Sequence, residues 1–181
     1  MINETENKLL VTNVEKTIRV YYFLLNAKIT VKKKKIVISK ALLVNSFLSM
    51  RERNTLVRIT AMLYYLTKHF PKWKESVQVH FGTDVVFLLK EVIQVFKALE
   101  QENYERVQKS HSLAKAIISA IALTEMLLEL NKPHLERNRR VYAIRLANWR
   151  LVHLKMENDE YIEVCRKVIK DFEENESIEI L

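Results

Sequence analysis

Residues 104–130 read YERVQKSHSLAKAIISAIALTEMLLEL. Val107, Ala114, Ile117, Ile121 and Leu128 recur along this stretch at steps of seven, three, four and seven, the spacing of one helical face. It contains neither glycine nor proline, and the scarcity extends over the whole chain: one Gly and two Pro in 181 residues. An average chain of this length carries about a dozen glycines. Glycine supplies the positive-φ positions of tight hairpins and phosphate-cradling loops. Sheets joined by primed turns, a Walker loop and a dinucleotide fingerprint are therefore excluded. The composition predicts an all-α protein of long helices and short polar connections.

Outward from residues 104–130, the same period recurs. Leu10, Val14, Ile18, Tyr21 and Leu25 predict a helix over residues 6–27. Leu42, Leu43, Phe47 and Leu48 predict a short one over 39–50. Asn54 is placed to cap a third, with Leu56, Ile59, Leu63, Leu66 and Phe70 on one stripe and Pro71 as its stop. Thr83 or Asp84 would cap a fourth, carrying Val85, Leu88, Val92, Phe96 and Leu99. Pro133 suits the first turn of a helix reaching Met156, and Asp159 would cap a last one through Ile162, Cys165, Ile169 and Phe172. The expectation is a compact protein of six or seven helices, the C-terminal half forming an antiparallel bundle because its connections are short. The predicted core contains Leu63, Leu66, Val92, Phe96, Ile117, Ile121, Leu151, Ile169 and Phe172.

Two stretches break the pattern. In Lys28–Ser39, Ile29 and Val31, then Ile36 and Ile38, alternate around four lysines, which reads as two short strands or as a loop. Its turn would be Lys-Lys, without the Asn or Gly such hairpins favour. Pro71–Thr83 holds Gly82 and no sustained period, and marks the expected boundary. The organisation read from this is an N-terminal helical lobe over 1–82 with a basic loop or ribbon, a bundle over 83–174, and an acidic tail over 175–181.

Catalytic constellations are scarce. The five histidines (His69, His80, His111, His134, His153) show neither the zinc-helix pattern nor Glu-x-x-His, so no metal site is predicted. Glu125 and Glu129 share a helical face, an arrangement that commonly pairs with arginines. Cys165 is the only cysteine; it lies on an apolar stripe without a neighbouring histidine and reads as a structural thiol. We therefore expect no enzyme and no cofactor. Uncharged runs such as Ile59–Thr67 and Ala116–Thr124 are far shorter than the roughly 20 residues that span a bilayer. Together with the lone cysteine and an acidic start, they predict a soluble cytoplasmic protein without membrane contact.

Charge carries the functional reading. The chain has net charge +8. Residues 157–181 hold nine acids against three bases, a net −6, which leaves +14 on residues 1–156. Such a basic body favours a polyanionic partner. Six lysines fall within thirteen residues: Lys28, Lys32, Lys33, Lys34, Lys35 and Lys40. They would contact phosphates without reading base sequence. Arg137, Arg139, Arg145, Trp149 and Arg150 form a second candidate group, arginine interleaved with aromatics as in single-strand binders. Arg140 falls on the apolar arc of Ile144, Ala147 and Leu151 and needs Glu125 or Glu129 as partner. A helix–turn–helix reading of residues 39–70, with Arg51, Arg53, Arg58 and Lys68 as contacts, is opposed by its strongly apolar second helix. The expected function is non-catalytic, non-sequence-specific binding of DNA or RNA within a nucleic-acid-handling assembly. The alternative is a protein–protein adaptor, chaperone or assembly subunit, or a homo-oligomer, with the charge incidental.

Overall fold

The computed structural model describes residues 4–49, 54–154 and 160–178. The fold is all-helical, 84% helix; the described residues include no strand and form nine helices in place of the six or seven expected. These are α1 (Glu4–Asn26), α2 (Val31–Ser49), α3 (Thr55–Thr67), α4 (Trp73–Phe81), α5 (Thr83–Glu100), α6 (Tyr104–Gln108), α7 (Ser112–Leu130), α8 (Arg137–Leu154) and α9 (Glu160–Ile178). The expected cap at Asp159 lies outside the described residues. The chain divides into two compact units, residues 1–89 and 90–181, with the division falling inside α5.

Three departures from the expected helices have local causes. The lysine run is neither ribbon nor loop but the start of α2. Lysine is a good helix former, and Thr30 caps the run: its carbonyl accepts from Lys34 N at 2.9 Å and its hydroxyl from Lys33 N at 3.5 Å. The stretch after Pro71 contains α4, anchored by buried Trp73 and Val77. It ends at Gly82, whose φ of +91° is the positive-φ geometry glycine tolerates. Residues 104–130 break between α6 and α7, because His111 caps α7 by accepting from Leu113 N at 3.2 Å. Ser110 meanwhile donates to the Val107 carbonyl at 2.6 Å. Pro133 precedes α8 instead of entering its first turn.

In the first unit α1, α2 and α3 pack pairwise. Val20 and Leu24 of α1, Ala27 just beyond its end, and a stripe of Val37, Ala41, Val44 and Leu48 on α2 are buried. Helix α3 is buried nearly all round from Ile59 to Leu66, as expected of a central helix. Asn54 caps it as predicted, accepting from Leu56 N at 2.9 Å. Arg58 donates from Nε and Nη2 to the Asn45 side-chain oxygen at 3.3 and 3.0 Å, tying α3 to α2. Val14, Ile18 and Leu25, three of the five apolar residues that mark α1 in the sequence, face outward.

In the second unit α7 is buried from Ala114 through Thr124, and α8 and α9 each pack on α7 and on one another. Ile144, Ala147, Leu151 and Leu154 supply the inner face of α8, Cys165 and Ile169 that of α9. Every predicted core residue is buried except Phe172, which is half-buried. Buried Lys115 donates to the Gln108 carbonyl at 2.9 Å, closing the C-terminal end of α6, where a cation is favoured. Burial pushes its ammonium pKa below the usual lysine value.

Candidate nucleic-acid interface

Charge is divided unequally between the units. Residues 1–89 hold 15 basic and 6 acidic residues, a net +9, while residues 90–181 hold 15 and 16, a net −1. Between Lys16 and Lys74 fourteen basic residues meet a single acid, Glu52. This run was visible in the sequence, yet a whole-chain charge count and the acidic C-terminus concealed it.

On the first unit, Lys28 in the α1–α2 connection and Lys32, Lys33 and Lys35 on α2 are exposed. The remaining two lysines of the group serve the fold. Lys34 donates to the Leu25 carbonyl at 2.6 Å, and the Lys40 ammonium sits 5.3 Å from the Tyr65 ring centroid. Lys68 lies 5.1 Å from the ring centroid of Tyr64, Tyr65's neighbour on α3. His69 reports how close these groups are. Its imidazole pKa is held below the ordinary histidine value, first by burial and then by the charges of Lys33, Lys40 and Lys68. The α2 lysines and the end of α3 thus form one cationic patch.

The patch opposes its own helix. The first turn of α2 carries three lysines and no acid. The aligned peptide dipoles make a helix N-terminus positive, so anions are stabilising there and cations are not. Nothing in the packing of α2 requires Lys32, Lys33 and Lys35 to be cations.

On the second unit, Arg137, Arg139, Arg140 and Arg145 are exposed along α8, with Tyr142 beside them. Glu136 precedes the helix and accepts from Arg139 N and Arg140 N through its carbonyl. Arg140 is exposed at the start of α8. Glu125 accepts from Arg150 Nη1 at 3.0 Å, and Glu129 pairs with Lys132. The Arg150 guanidinium also lies 5.4 Å from the Phe96 ring centroid, so this arginine is internal to the unit. Trp149 is half-buried in a cluster the sequence did not suggest: its ring lies 4.9 Å from His153, which stacks on Tyr104 at 4.2 Å. Only the i, i+4 relation of Trp149 and His153 could have hinted at it.

Among the described residues no group of His, Cys, Asp and Glu is arranged to hold a metal ion. No described helix is long and apolar enough to cross a membrane. The chain matches no protein-family model, no curated protein and no solved structure.

Proposed function

We propose that this protein binds the phosphate backbone of DNA or RNA, without catalysis and without reading base sequence, as a subunit of a nucleic-acid-handling assembly. The observation that carries this reading is the start of α2: four consecutive lysines at the positive end of a helix, three of them (Lys32, Lys33, Lys35) exposed, in a region with one acid among fifteen charged residues. A polyanion would satisfy both the side chains and the helix terminus. Lys28, Lys32, Lys33 and Lys35 are the contacts, with Lys68 and His69 at the edge. Arg137, Arg139 and Arg145 on α8 form a second, weaker contact group. In this reading α7, α8 and α9 alternate in direction as an antiparallel bundle, as their short connections favour.

Fluorescence anisotropy with a labelled random-sequence duplex and single strand tests the proposal. Affinity should fall steeply with salt, because each neutralised phosphate releases condensed counterions. Changing Lys32, Lys33 and Lys35 to Ala should flatten the log–log salt slope by about one unit per lost contact and weaken all sequences alike. Binding at about 50 mM salt weaker than the usual non-specific range of roughly 10⁻⁴–10⁻⁶ M would refute it. The adaptor reading would then stand alone, on the outward apolar face of α1.

A further inference from the structure

Helix α1 is apolar on two sides. Val20, Leu24 and Ala27 are buried within the first unit, while Val14, Ile18, Tyr22 and Leu25 are 50%, 48%, 65% and 51% exposed. At 100° per residue the four exposed side chains fall within an arc of about 80°, along about 16 Å of helix. This is the pattern of a face that docks, for isolated surface apolars need no explanation but an ordered stripe does. The stripe runs into an open groove of about 340 Å³ lined by Leu25, Val31, Ile38, Ser39, Lys34 and Lys35. Val31, on its wall, is 72% exposed.

We infer that the outer face of α1, with this groove, docks an amphipathic helix of a partner protein that carries acidic residues beside its apolar stripe. Charge selects the occupant. Lys16, Arg19 and Lys28 lie on α1 and its exit, and Lys34 and Lys35 line the groove; the acids of α1 are Glu15, beside the stripe, and Glu4 and Glu6 in its first turn, and none occurs from Lys16 to Lys40. A second copy of this face would bring another unit of net +9 against the first, which disfavours self-pairing. Nucleic acid would leave Val14, Ile18 and Leu25 in water. An acidic amphipathic helix buries the stripe at i, i+4, i+8 and i+11 and meets the surrounding cations with its flanks.

The test uses the full chain and two labelled synthetic peptides of about 18 residues, long enough to cover the stripe. Both carry Leu at helical spacing; one has Glu at the flanking positions and the other Lys. The Glu peptide should bind saturably and the Lys peptide at least tenfold more weakly, a difference that should shrink with salt. Ile18→Ser with Leu25→Ser, both exposed and so compatible with folding, should weaken the Glu peptide at least tenfold while leaving duplex binding unchanged. Unchanged circular dichroism keeps that comparison valid. Failure of the Glu peptide to bind, equal binding of both peptides, or indifference to the double substitution would overturn the inference. So would a dimer in light scattering that the same substitutions dissociate, since the occupant would then be a second copy. Duplex binding is measured in parallel, so failure of the nucleic-acid reading is seen separately.

Discussion

The Lys34 ammonium donates to the Leu25 carbonyl at 2.6 Å, so one member of the lysine run bonds the start of α2 to the last turn of α1. Its neighbours Lys32, Lys33 and Lys35 are exposed. Adjacent and identical in sequence, the four lysines divide between one tied into the fold and three exposed to solvent, which the proposed function assigns to phosphate contact.

Mutagenesis should separate the two roles. Lys34→Ala should lower stability to chemical denaturation by about 1 kcal/mol, the net worth of one hydrogen bond, because the Leu25 carbonyl loses its donor. Lys32→Ala with Lys35→Ala should leave stability within about 0.5 kcal/mol, as surface changes usually do, while weakening duplex binding. If all four positions behave alike in both assays, the division is wrong.

His69 provides a pH-dependent probe of the patch. Burial, then Lys33, Lys40 and Lys68, hold its pKa below 6.5 in the folded state. The folded protein therefore takes up this proton less readily than the unfolded chain. The associated stability is present above about pH 6.5 and is lost as pH falls through the lowered folded value. A saturating duplex should raise the His69 pKa, because phosphates beside Lys33 offset the lysine charges. An NMR titration of the imidazole carbon resonance measures this directly. An unchanged pKa in the complex would place the phosphates elsewhere.

The Arg150–Glu125 pair is a structural element of the second unit, at 3.0 Å with side-chain exposures of 18% and 26%. Glu125→Gln should cost about 1–3 kcal/mol, since it leaves a mostly buried guanidinium without its counter-charge. A double-mutant cycle with Arg150→Met should recover a coupling of about 0.5–3 kcal/mol. Coupling near zero would mean that Phe96 and the surrounding packing alone hold Arg150. Duplex affinity should be unaffected by either change.

What could be read in advance followed the strength of local rules. Helicity was legible because glycine was missing, and the central helices because Ile117, Ile121, Leu63 and Leu66 keep their period inside the core. The α2 start was not, because Ile29, Val31, Ile36 and Ile38 mimic strand alternation and only Thr30 signalled a cap. The α1 faces were misleading for a different reason. Periodicity identifies an apolar stripe but not what covers it, and α1 carries two. For the candidate interface, residue types were legible but partners were not. Arg150 and Lys34 resemble their neighbours in sequence and differ only through Glu125 and the Leu25 carbonyl.

Winding the lysine run into α2 also alters its exposure to proteases. In an extended loop, four consecutive lysines would be the first place trypsin opened the chain. A protease binds its substrate unwound, and the α2 backbone around Lys34 is engaged in helical bonds starting at the Thr30 carbonyl. The richest tryptic target in the protein is thus shielded by its own secondary structure. Cleavage there should track the opening of α2, while Lys28, just outside the helix, remains the accessible bond.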